Sequence, residues 1–192
     1  MRLARIRPAA KIAAAFGLGG VVALLFYLVP GLQGLGPVTP NHPIWIETKW
    51  PFPMDQWGEG KAFQCKVAGC GGELKLYIRS KIGFCSSTTG VADDNELARL
   101  SDFDFMNGAT IALGEGHEIN VAWMKGRLRT YAIASPSRSR TTAISIAYNN
   151  ESDALVATVV VNDAQSKAIE PVVIEFLNGE VVRRWVSNTL GL

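Results

Sequence analysis

The side chains of this chain best suited to nucleophilic or metal chemistry are few: Cys65, Cys70, Cys85, His42 and His117. Cys85 stands in Gly83-Phe84-Cys85-Ser86-Ser87-Thr88, between an expected strand and an expected helix. A thiol near a helix N-terminus can have a lowered pKa and attack an electrophile. The surrounding pattern is not the nucleophile elbow, and neither histidine lies near it in sequence. Cys85 is therefore the one candidate for a catalytic residue, and a disulfide partner or inert thiol is the favoured reading of it. Cys65-x₄-Cys70 matches zinc spacing only loosely and no His-x₃₋₅-His accompanies it, so neither a metal nor another cofactor is expected. In an oxidising compartment, two of Cys65, Cys70 and Cys85 should pair and one should remain, with all three pairings open.

Acidic groups gather in Asp93-Asp94-Asn95-Glu96 and in Asp102 and Asp104. They lack the alternating oxygens and central glycine of a calcium loop. Acids at a helix N-terminus account for the first group. Cations interleave with aromatics at Trp123-Met124-Lys125-Gly126-Arg127-Leu128-Arg129-Thr130-Tyr131, with Arg138 and Arg140 following. Lys125, Arg127, Arg129, Arg138 and Arg140 form a candidate surface for anionic lipid, acidic glycan or an acidic partner. A solvated hairpin with its aromatics in the core is the competing reading.

The compartment is written in the first thirty residues. Residues 1–11 carry Arg2, Arg5, Arg7 and Lys11, and Ile12–Val29 then runs without a charge. As a helix, that run is about 27 Å long, close to the hydrocarbon core of a bilayer. The flanking cations hold the N-terminus in the cytoplasm and send the remainder across the membrane. Pro30-Gly31-Leu32-Gln33-Gly34-Leu35-Gly36-Pro37 contains no A-x-A-like site, which favours an uncleaved anchor over a signal peptide. The net charge of +2 belongs to this topology signal. Beyond it, 15 Lys+Arg face 17 Asp+Glu, so nothing argues for nucleic acid as a partner.

The elements that position these residues follow from periodicity. Residues 30–43, with four prolines and three glycines, read as a linker, and residues 44–192 as one exported domain. Strands are expected at 44–48, 62–67 and 73–84, the last a half-buried strand with Leu74, Leu76 and Ile78 on one face and Lys75, Tyr77 and Arg79 on the other. Trp50-Pro51-Phe52-Pro53-Met54-Asp55-Gln56-Trp57-Gly58 is an aromatic, proline-broken loop that either caps the core or meets the membrane interface. A helix at about 92–100 opens on Asp93 and Glu96 in capping-box spacing. Further strands are expected at 109–113, 118–124, 127–133, 141–148 and 154–161, with Lys125-Gly126 as the turn between 118–124 and 127–133. In the tail, Asn178-Gly179 is a hairpin signal. Ile169, Val172, Val173, Phe176 and Leu177, then Val181, Val182, Trp185 and Val186, nevertheless follow helical spacing, so two helices broken near residue 179 are expected. The sum is an α+β domain: a mostly antiparallel sheet of about seven strands, one mid-domain helix and two C-terminal helices.

The strings Trp50-Pro-Phe-Pro-Met-Asp-Gln-Trp57, Lys81-Ile-Gly-Phe-Cys85 and Val121-Ala-Trp-Met-Lys-Gly-Arg127 resemble a group of uncharacterised membrane-anchored proteins of rhizobial alphaproteobacteria. The resemblance spans most of residues 44–192. It implies a bacterial inner membrane and brings no activity. It also implies a further cysteine in the group where this chain has Ser87, hence a thiol left over here. The order of elements is similar to that of PsbP-like α+β domains, which are accessory binding modules. The sequence thus points to a non-catalytic periplasmic accessory or interaction module, embedded in the lipid bilayer through residues 12–29 and meeting an envelope protein. The alternatives are a thiol-dependent enzyme or redox protein using Cys85, and an anion binder using Lys125–Arg140.

Overall fold

In a computed structural model of the chain, the described residues are 42–66, 69–84, 90–106, 108–134, 140–161 and 166–192. The expected anchor, the linker up to residue 41, Cys85 and Arg138 lie outside them. No helix among the described residues is long and apolar enough to cross a membrane.

Eight strands form one sheet: β1 (Trp45–Thr48), β2 (Lys61–Cys65), β3 (Leu74–Lys81), β4 (Ala109–Ala112), β5 (His117–Val121), β6 (Met124–Ala134), β7 (Arg140–Asn150) and β8 (Asp153–Val161). Three helices accompany them: α1 (Asp94–Leu100), α2 (Ser166–Leu177) and α3 (Glu180–Leu190). The sheet order is β1-β2-β3-β8-β7-β6-β4, with β5 also paired to β6, and every pairing is antiparallel. The α+β class, the antiparallel sheet and the helix placement agree with the periodicities above.

The first face of the sheet carries the main core. Leu74, Leu76 and Ile78 of β3 lie level with Val161, Val159 and Ala157 of β8, and Ile144 and Ile146 of β7 continue the layer. Ile169, Val173 and Leu177 of α2 and Val182 and Val186 of α3 close it from above. Their spacing of three and four is what aims them at one surface. Burying each such side chain stabilises by about 1.5–3 kcal/mol, and this layer holds most of them. Asn178 sits at the break between the helices: its amide nitrogen donates to the Ile174 carbonyl, and its side-chain oxygen accepts from the Ala122 N–H at the β5–β6 turn. The Asn-Gly pair thus ends a helix here. α2 begins at Ser166, so Pro171 falls in its second turn rather than its first.

Two details differ from the sequence expectations. The β5–β6 reversal is at Ala122–Trp123, with Val121 opposite Met124 and Ala122 at φ 53°, so Lys125 and Gly126 are within β6. Gly126 serves the sheet instead of the turn: it lies opposite Tyr148 of β7, and a Cβ there would meet the Ala147 carbonyl oxygen and come within 2.6 Å of the Tyr148 Cβ. The second difference is larger. The opposite sheet face is covered rather than open to solvent. α1 packs Leu97 and Leu100 against Ala147, Ala154 and Val156. Trp50, 8 % exposed, joins Phe52, Tyr77 and Phe105 in an aromatic cluster that lays the 50–58 loop on the same face.

Cys65, at the end of β2, is bonded to Cys70 with their Cα atoms 6.3 Å apart, both side chains buried in the main core. The bond closes the five-residue step into β3. Of the three possible pairings this is the local one, and the remaining thiol belongs to Cys85. Alkylation of the purified chain without reduction should therefore attach one label per chain, on a peptide containing residue 85. Labels on Cys65 or Cys70 would contradict the pairing.

Candidate functional site

The strongest concentration of chemistry lies on the second sheet face, where β3 alternation sends Tyr77, Arg79 and Lys81 under the α1 layer. Arg79 and Lys81 are 4 % and 5 % exposed. Charges this deep persist only when paired and hydrogen-bonded. Their partner is Asp102, 8 % exposed, on the segment after α1. Arg79 Nε donates to Asp102 Oδ2 at 2.7 Å and Nη2 to Oδ1 at 2.5 Å, a bidentate fork. Lys81 Nζ donates to the Leu100 carbonyl at 2.7 Å and lies 2.9 Å from Asp102 Oδ1. Arg79 Nη1 reaches both oxygens of Asp55 at 2.7 and 2.8 Å. Asp55 in turn accepts the Trp57 N–H at 2.8 Å.

Local structure fixes each member. Asp93 caps α1 by accepting the N–H groups of Asn95 and Glu96 at 2.8 and 2.9 Å. The helix stops at Ser101, whose hydroxyl accompanies its N–H onto the Leu97 carbonyl and lies 2.6 Å from Ser145 Oγ on β7. A 3₁₀ turn, Phe103–Phe105, then holds Asp102 over β3 and places Phe105 beneath the Arg79 guanidinium, 4.5 Å from ring centre. Burial works against the charged form of Arg79, but its bonds to Asp102 and Asp55 outweigh it and hold the guanidinium above its ordinary pKa. Burial likewise opposes ionisation of Asp55, and the Arg79 and Trp57 hydrogen bonds reverse it, leaving that carboxyl below its ordinary value.

Beside this knot opens a cleft of about 250 Å³. Asp55, Gln56 and Trp57 line one side, and Phe84, Arg99, Asp104 and Phe105 the other, with Arg79, Lys81, Ser101 and Asp102 at the base. Trp57 and Phe84 meet edge to face, 5.3 Å between ring centres. The formal charges lining the cleft cancel: three acids and three bases.

The residues singled out from sequence are placed elsewhere. Arg127 and Arg129 do share a face of β6, the one that α1 covers, and both converge on Asp94. Arg127 Nε donates to Asp94 Oδ1 at 2.5 Å, Arg129 Nη1 lies 3.2 Å from Oδ2, and the two guanidiniums also donate to the carbonyls of Gly116 and Gly114. Their charge is thus shared with an acid at the first position of α1. Lys125 is exposed on the same face. Arg140 begins β7, and its side chain lies outside the description. His117 Nε2 is 2.8 Å from Glu170 Oε1 at the surface, joining β5 to α2. Among the described residues, no three His, Cys, Asp or Glu are grouped to hold a metal ion.

The Asp94 carboxyl is held below its ordinary value of 3.8, first by the Arg127 hydrogen bond and then by the Gly116 N–H. A depressed folded-state pKa contributes stability above the unfolded value, lost as pH falls through the folded one. The stability difference between wild type and Asp94→Asn should therefore be largest at neutral pH and shrink below about pH 4. Urea titrations across that range check it, and a difference independent of pH would contradict it.

The convergence of Asp55, Arg79, Lys81 and Asp102 escaped the sequence reading, which weighs Asp102 only against a calcium loop and Arg79 only as a strand position. The available signal was the period-two run Tyr77, Arg79, Lys81, directly followed by a helix whose Leu97 and Leu100 needed a surface to cover.

No family model matches this chain, and no curated protein matches it. Among solved structures, the protein of unknown function PA94 from Pseudomonas aeruginosa is similar over 71 % of this chain and 94 % of its own, at 15 % identity and a TM-score of 0.42. At that level the likeness carries neither fold nor function across.

Proposed function

We propose that this domain is a non-catalytic interaction module, held on the periplasmic face of a bacterial inner membrane by residues 12–29. The observation that carries the non-catalytic part is the closure of the charged knot. Asp102 accepts three bonds from Arg79 and Lys81, and Asp55 takes the remaining arm of Arg79. Acids and bases that bind substrate or move protons need a free valence toward the reacting atom, whereas these are spent on one another. They fasten the 50–58 loop and the 101–105 turn to the sheet, which is the work of a rigid scaffold. The membrane part rests on the cations before an uncharged run of bilayer length. The resemblance to membrane-anchored rhizobial proteins supports the same compartment, and an envelope protein is the partner this reading implies.

Two measurements test it. Alkaline phosphatase fused after Leu192 should be active, with the full-length chain in the membrane fraction. An inactive fusion, or full-length soluble protein, would remove the anchor. The competing thiol-enzyme reading predicts a Cys85 alkylated much faster than a free thiol of ordinary pKa at neutral pH, and the module reading predicts an ordinary rate.

A further inference from the structure

β1 is one edge of the sheet. Among the described residues it pairs with β2 alone, so every second residue of Trp45–Thr48 points its N–H and C=O outward. Such an edge is a template for a further strand. On the second sheet face, Ile46 lies in one row with Gln64 and Lys75, and Ile44 is one step along. The two isoleucines are exposed beside these polar neighbours, Ile44 at 53 % and Ile46 at 50 %. On the helix side, two clefts open along β1. One of about 180 Å³ lies by Trp45, with Val172 and Glu175 of α2 in its wall. The other, about 220 Å³, lies by Glu47, with Val181 and Arg184 of α3 in its wall and Lys61 beside Glu47. With histidine neutral, the first cleft carries the negative charge of Glu175. The second is net positive, Lys61 and Arg184 against Glu47. Arg184 also pairs with Glu180 one turn earlier, but that pair is exposed and therefore weak.

A second β1, antiparallel about a two-fold axis at Ile46, answers all of these features. Ile46 then meets Ile46 of the other copy, and Ile44 meets Thr48. Trp45 stands opposite Glu47 of the other copy. The acidic α2 cleft therefore faces the basic α3 cleft, Val172 towards Val181 and Glu175 towards Arg184, and symmetry repeats the match. Neighbouring registers are worse. Centring on Glu47 sets two carboxylates directly opposite each other. Centring on Trp45 draws Pro43, which has no N–H, into the ladder. A ladder of five residues is short for a specific interface of about 800 Å² per copy, so the clefts must close on each other as well.

We propose that β1 is a homodimer interface: two copies of this chain pair antiparallel through Ile44–Thr48, joining their sheets, with Glu175 of each against Arg184 of the other.

The test uses the full chain in detergent micelles, with Cys85→Ser as background for the introduced thiols. Sedimentation equilibrium should find a dimer. Ile46→Cys should cross-link into a covalent dimer on mild oxidation, since directly opposed Cβ atoms lie about 4.5–5.5 Å apart. Gln64→Cys, on the same face one strand inward, should not. Ile46→Lys, at an exposed position, should give a monomer with circular dichroism unchanged. Glu175→Arg should raise the dimer Kd several-fold, and Glu175→Arg/Arg184→Glu should restore it. A monomeric wild-type chain overturns the proposal. So does a dimer that survives Ile46→Lys, which would place the association elsewhere in the chain. Equal cross-linking of Gln64→Cys, or a Glu175→Arg dimer as tight as wild type, overturns it too. None of these failures touches the topology and thiol measurements on which the module reading depends.

Discussion

Asp102→Ala is expected to be among the most destabilising single substitutions in the domain. The side chain is small and polar, and its removal leaves no large cavity. The cost comes from Arg79 and Lys81, which stay buried at 4 % and 5 % exposure with their shared acceptor gone. Breaking a buried pair from one side costs about 3–5 kcal/mol, far more than the net worth of the intact pair. Asp55, on the more exposed loop, retains one arm of Arg79 but cannot take over Lys81, whose other bond is to a backbone carbonyl. An unfolding free energy of Asp102→Ala, from urea titration, within about 1 kcal/mol of wild type would mean that water reaches these cations freely. The loss should also loosen the 50–58 loop, because Asp55 is tied to the sheet through the same guanidinium.

Gly126→Val is the second large effect. Gly126 has no turn to make, so the usual reason for a glycine, a positive φ, is absent. It is needed because Tyr148 stands opposite it across the β6–β7 ladder. Tyr148 is fully buried, and the space a Cβ would need at position 126 is taken by the Ala147 carbonyl oxygen and by the Tyr148 Cβ and Cα, at 2.6 and 2.8 Å. Two backbone segments in the middle of a sheet cannot move apart without lengthening ladder hydrogen bonds. Overpacking typically costs about 1–3 kcal/mol, and a branched side chain against backbone should reach the top of that range. Pairing it with a smaller residue opposite, in Gly126→Val/Tyr148→Ala, would not restore the loss, since the carbonyl contact remains. A Gly126→Val domain as stable as wild type would mean that β6 and β7 do not pair in this register.

The contrast between these two positions shows what the sequence carried and where it stopped. Leu74, Leu76 and Ile78 alternate cleanly, so β3 and its core face were legible from period alone. The helical spacing of Val172, Val173 and Phe176 likewise overrode the hairpin signal of Asn178-Gly179, because Asn178 serves as a helix stop that clasps the Ala122 amide. Gly126 misled, since a lysine–glycine pair looks like a turn when the tyrosine that requires the glycine is more than twenty residues away. Arg79 and Lys81 misled for a similar reason. A cation on the polar phase of a strand reads as solvated, and only the long-range placement of Asp102 reveals it as buried. The paired state of Arg127 and Arg129 was equally hidden, for Asp94 reaches them only because α1 crosses β6. Local pattern fixes elements. Which face is covered, and by whose charges, depends on contacts between residues far apart in the chain.

The knot stands on Arg79 and Asp102 serving each other as partners, and a double-mutant cycle measures that most directly. Arg79→Met, Asp102→Leu and the pair together are compared with wild type by urea denaturation. Each single variant is expected to be strongly destabilised, and the double variant to lose about 2–3 kcal/mol less than the sum of the two, the remaining cost being Lys81 left without its carboxylate. Additive losses, with no recovery in the double variant, would show that the two groups are not partners and would contradict it.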